Sequence, residues 1–82
     1  MIKNELISVM KKHGDRQEDL AKYIGISLSR FSAKLNGKHG AEFTQGEIAK
    51  ITEKYNLIAE EIALIFFGHD VSKTETKEGK GD

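Results

Sequence analysis

The 82-residue chain has neither cysteine nor proline. Without cysteine, no disulfide and no thiolate metal site can hold it together, which fits a reducing cytoplasm. Without proline, and with leucine, isoleucine, alanine, lysine and glutamate recurring at helical spacings, an all-α fold is the expectation. Long apolar runs are missing too. The longest, Ile62 to Phe67, is far short of the roughly 20 residues a membrane span needs. Met1 to Met10 carries Lys3, Asn4 and Glu5 inside its apolar pattern, so no signal peptide is expected. A soluble, cytoplasmic, single-domain protein is the resulting expectation, with a core large enough to fold alone.

An excess of charge of either sign is also lacking, since 13 basic side chains balance 13 acidic ones. A strongly basic domain would announce nucleic acid directly, and this chain does not. Its charges are nevertheless segregated. Between Arg16 and Lys38 the bases are Arg16, Lys22, Arg30, Lys34 and Lys38, against only Glu18 and Asp19. Acids collect later, at Glu42, Glu47, Glu53, Glu60 and Glu61. The middle of the chain can therefore present a basic face.

Helical periodicity is what the chain does have. Ile2, Leu6, Val9 and Met10 make one stripe of a first helix, Ile2 to Lys12, closed by His13 and Gly14. Asp15 looks like the N-cap of a second helix, with Glu18 completing a capping-box-like pattern. That helix buries Leu20, Ala21 and Ile24 and stops at Gly25. Ser27 caps a third, with Phe31 and Leu35 inward, ending at Asn36-Gly37. Lys38 to Phe43 reads as a loop. Thr44 and Glu47 form a T-x-x-E capping box for a fourth helix, and Phe43 and Ile48 form a hydrophobic staple. The fourth helix buries Ile48, Ile51 and Tyr55. After a break at Asn56-Leu57, a fifth turns Ile58, Ile62, Ile65 and Phe66 inward. From Gly68 or His69 onward the apolar pattern disappears, so residues 69–82 are expected to be a disordered tail to a domain spanning 1–68. No internal repeat is present.

The functional argument centres on Gln17 to Ser27, Q-E-D-L-A-K-Y-I-G-I-S. Ala21 is small where two helices must cross closely, and Gly25 can take the positive φ that starts a tight turn. Ile26 fills the corner, and Leu20, Ile24 and Phe31 share a core. This is the spacing of a helix-turn-helix.

Gln17 to Gly37 resembles the XRE family of phage repressors, Cro proteins and their bacterial relatives, most closely at Q-E-D-L-A, G-I-S and N-G. The resemblance spans Ile2 to Phe67. It implies a compact five-helix, lambda-repressor-like domain that places its third helix in the DNA major groove, usually as a dimer. It further implies that Gln17 bonds a phosphate and that Asn36 and the adjoining loop grip the backbone on the other side. Leu28, Ser29 and Ala33 would face base edges. The chain departs from the family pattern at Leu28, where glutamine is common, and at Lys34, where an apolar residue is common.

The DNA-facing candidates are Arg16, Gln17, Ser27, Leu28, Ser29, Arg30, Ser32, Ala33, Lys34, Asn36 and Lys38. Arg30 can read guanine bidentately or clamp a phosphate. Leu28 shares a stripe with Phe31 and Leu35, which leaves it core or groove. Asn36-Gly37 suits a helix C-terminus as well as a phosphate contact. His39, beside Lys38, can assist phosphate binding when protonated. Leu64 and Phe67 lie off the inward stripe of the fifth helix and suit either a dimer seam or core cover. His13, His39 and His69 lie far apart, with no ligand spacing, and no catalytic set is recognisable. No enzyme activity, metal or cofactor is expected. The expected partner is a double-stranded DNA operator, bound by a transcriptional regulator of the phage or prophage repressor or Cro kind. The alternative is a protein-interaction module on the same fold, an antirepressor or antitoxin-like partner.

Overall fold

A computed structural model of the chain describes residues 1–68; the expected tail, 69–82, lies outside the described residues. Among the described residues five α-helices form an all-α fold: α1 Lys3–Lys12, α2 Gln17–Ile24, α3 Leu28–Asn36, α4 Gln45–Tyr55 and α5 Ala59–Phe67. A short 3₁₀ turn, Lys38–Gly40, follows α3. Helix α1 packs on α5, and α2 packs on both α3 and α4. No described helix is long and apolar enough to cross a membrane.

The buried set joins all five helices. Leu6 and Met10 come from α1, Leu20, Ala21 and Ile24 from α2, and Phe31 and Leu35 from α3. Phe43, Ile51, Tyr55, Ile65 and Phe66 complete it. Three aromatic rings run through it edge to face: Phe31 to Phe43 at 5.4 Å between centroids, and Phe43 to Phe66 at 6.2 Å. Such geometry sets the electropositive ring edge against the electronegative face. It ties α3 through the α3–α4 connection to α5.

Local chemistry explains most helix ends. The Thr44 hydroxyl accepts from the Glu47 N–H at 3.1 Å, and Glu47 Oε1 accepts from the Thr44 N–H at 2.9 Å, the reciprocal capping box of α4. Phe43 is buried and Ile48 packs against the core, as a staple requires. Asn56, in the left-handed region at φ 53°, ends α4.

Three expectations are corrected. The α2 N-cap is Arg16, not Asp15, and Asp19 Oδ2 accepts from the Arg16 N–H at 2.8 Å. The carboxylate three residues into the helix supplies the cap because the arginine side chain has no acceptor. Ile58 is the N-cap of α5 and 59% exposed rather than inward, its N–H bonded to Glu61 Oε1 at 2.9 Å. Ile2 precedes α1 instead of opening its buried stripe, and its N–H donates to the Ile65 carbonyl at 2.8 Å.

Released from capping, Asp15 accepts the Tyr55 hydroxyl at 2.7 Å, and Lys54 Nζ lies 3.6 Å from the same carboxylate. Burial, reinforced by the Asp15 carboxylate, pushes the Tyr55 phenol well above its ordinary value. An unfolded chain loses this proton near pH 10 while the folded one retains it. The bond therefore contributes fully below about pH 10 and is lost as pH rises further. Tyr55→Phe should cost about 1–2 kcal/mol near neutrality, read from the denaturant midpoint. It should also remove this contribution to the alkaline fall in stability.

Candidate nucleic-acid interface

The α2–α3 junction is built from a helix stop and a helix start. Gly25 sits at φ 83°, with its N–H bonded to the Lys22 carbonyl at 3.2 Å and the Ile26 N–H bonded to that of Ala21 at 3.0 Å. These two bonds satisfy carbonyls at the end of α2 in a Schellman motif. No atom lies within 4 Å of where a Gly25 Cβ would sit, so the position requires the left-handed backbone and not the space. Ile26 packs against the core at the corner. The Ser27 hydroxyl then accepts from the Arg30 N–H at 3.1 Å and starts α3. Two short helices are thereby joined by a three-residue turn, with Ala21 buried on α2 facing the shared core.

Successive residues advance about 100° around a helix, so Phe31 and Leu35 define the inward side of α3 and Ser29, Arg30, Ala33 and Asn36 the outward side. Ser29, Arg30 and Asn36 are exposed, and Ser32 and Ala33 are half-buried. Leu28 is 48% exposed, which settles its position: it belongs to the surface and not to the core. Arg16 and Gln17 are exposed at the start of α2, and Lys38 is exposed in the turn after α3. Among the described residues the Arg30 guanidinium enters no ion pair, whereas Arg16 Nε lies 3.9 Å from Asp19.

Lys34 does not join this face. Its ammonium donates to both Glu47 carboxylate oxygens, at 2.7 and 2.9 Å, and its side chain is only 12% exposed. It occupies the packed side of α3 beside Leu35, and its charge is committed to α4. The basic face expected from the sequence is one cation smaller for that reason. Burial would push the Glu47 carboxyl up, but the Lys34 ammonium and the hydrogen bonds at Thr44 outweigh it and hold the carboxyl below its ordinary range.

Asn36 is pinned from two directions. Its Nδ2 donates to the Ser32 carbonyl at 2.8 Å, and its Oδ1 accepts from Lys3 Nζ at 2.8 Å. Lys3, brought to the outward end of α3, is absent from the candidates that the sequence offers. The contact bridges 33 residues, and no local pattern announces it. Tyr23, 45% exposed, carries Lys54 Nζ over its ring at 4.7 Å, a cation–π contact beside the same junction. No protein-family model matches the chain, and searches of curated proteins and of solved structures return no match.

Proposed function

We propose that the chain is a sequence-specific DNA-binding regulator of the XRE kind, a phage or prophage repressor or Cro-like protein of the cytoplasm, that reads the major groove with α3. The observation that carries the reading is the α2–turn–α3 unit. One side of α3 is locked into the core by Phe31 and Leu35, while the other offers Ser29 and an arginine free of carboxylates among the described residues. A rigid helix with an outward polar face is what base readout in the major groove requires. Gln17 and the first amides of α2 suit one phosphate, and Asn36 with the Lys38–Gly40 turn suits another. Leu28 offers apolar contact to a thymine methyl. A homodimer through the outer side of α5, where Phe67 is 57% exposed beside half-buried Leu64, would place two half-sites roughly 34 Å apart.

The test is selection from a duplex library at two salt concentrations, wild type beside Arg30→Ala. The wild type should enrich a palindromic site, with binding that weakens steeply as salt rises. Loss of a bidentate guanine contact should cost about 1–3 kcal/mol of discrimination at one base pair. Absence of any preferred sequence would remove the regulator reading.

Exposed Leu28 and Tyr23, together with zero net charge, favour one second reading, a module that docks a protein in the manner of an antirepressor or antitoxin. An apolar interface of that kind would be insensitive to salt and to Arg30→Ala.

A further inference from the structure

We infer that Lys3, at the start of α1, contacts a backbone phosphate flanking the half-site; this rests on the DNA-binding reading above. Two separate features bring Lys3 to the outward end of α3. The backbone bond from the Ile2 N–H to the Ile65 carbonyl, at 2.8 Å, seats the start of α1 on α5. The Lys3 ammonium then reaches Asn36 Oδ1 at 2.8 Å.

This contact changes what each partner can offer an anion. The Asn36 amide has its oxygen committed to Lys3 and its nitrogen to the Ser32 carbonyl and, at 3.4 Å, to the Ser32 hydroxyl. Lys3 spends one of its three donors on Asn36, and the other two point from an exposed position. No carboxylate among the described residues lies within ion-pair distance of Lys3 or Lys38. Lys34 and Glu42 line the same groove as Lys3, but Lys34 is neutralised by Glu47, and exposed Glu42 pairs with neither Lys3 nor Lys38. Among the described residues, Lys3 from α1 and Lys38 from the turn are therefore unpaired lysines at the end of α3, and the Glu42 carboxylate in the same groove is unpaired too. A phosphate brought to the end of α3 would meet the exposed Lys3 ammonium beside Asn36. A phosphate contact of this kind carries affinity and no sequence information.

The experiment measures full-length protein binding to its selected duplex across a salt series for wild type, Lys3→Gln and Lys3→Arg. Each phosphate neutralised contributes about 0.9 to the slope of log K against log salt. Lys3→Gln should make the slope shallower by about one unit and leave base preference unchanged, while Lys3→Arg should keep the wild-type slope. Glutamine removes the charge but keeps a polar N–H, and the arginine variant restores the charge, so the pair of variants isolates it. Affinity lost with an unchanged slope would mean that Lys3 only orients Asn36 and would overturn the proposal, as would no change at all. A wild type with no steep salt dependence would overturn the DNA-binding reading itself, and this proposal with it.

Discussion

Phe31→Ala is expected to lower the stability of the domain by about 3–5 kcal/mol, the cost of removing a large ring from a packed core. Phe31 has no exposed surface and sets its ring against Phe43, which in turn meets Phe66. One truncation therefore opens a cavity under α3 and loosens the connection to α5. A domain of this size holds only about 3–10 kcal/mol in total, so the variant should lose about a third or more of its stability and melt well below wild type. A circular-dichroism melt of the variant beside wild type checks this. A variant within about 1 kcal/mol of wild type would show that α3 is not anchored through this ring.

The second large effect concerns the ion pair between α3 and α4. Lys34→Met should cost about 1–3 kcal/mol, because it leaves the Glu47 carboxylate, 14% exposed, without its cation. Glu47 also caps α4 through Thr44, so Glu47→Gln retains a cap acceptor while losing the charge and one of the two oxygens that accept from Lys34. The double variant Lys34→Met with Glu47→Gln should lose less than the sum of the two, because no charge is then stranded. The pH dependence has a definite sign. An unfolded glutamate takes up its proton near pH 4.5, and the folded Glu47 does so only at lower pH. The stabilisation is therefore complete above about pH 4.5 and is lost as pH falls through the folded value. Urea midpoints from pH 7 to pH 3 should fall less steeply for Glu47→Gln than for wild type. Parallel pH profiles would show that the pair contributes nothing to folding.

The Lys34–Glu47 pair also explains how a lysine is accommodated on the packed side of α3. An apolar residue there would need only burial. A lysine needs a carboxylate brought to it, and Glu47, already placed by the α4 capping box, provides one. By its charge Lys34 belongs with the bases of the Arg16 to Lys38 stretch and is expected to face DNA. Its angular position on α3, nearer to Phe31 than to Ser29, pointed the other way. Periodicity was the better guide than charge.

What the sequence by itself determined is the part of this protein governed by interactions within about one helical turn. The buried stripes of α1 to α4 follow from a 3.6-residue repeat of apolar side chains. The stop at Gly25, the Ser27 cap and the Thr44–Glu47 box follow from backbone groups that helix ends leave unsatisfied and that nearby side chains can meet. The α2–turn–α3 unit was legible for that reason, as were the positions of Gln17, Ser29 and Arg30 on it. Only the tertiary structure decided which polar side chains are free. Asp15 bonds Tyr55 across 40 residues, Lys34 bonds Glu47 across 13, and Lys3 bonds Asn36 across 33. A lysine or an aspartate reads the same in the sequence wherever it folds, and whether its charge meets solvent, a partner or a ligand depends on which helix packs beside it. Packing exposed Leu28, withdrew Lys34 and brought Lys3 to the end of α3.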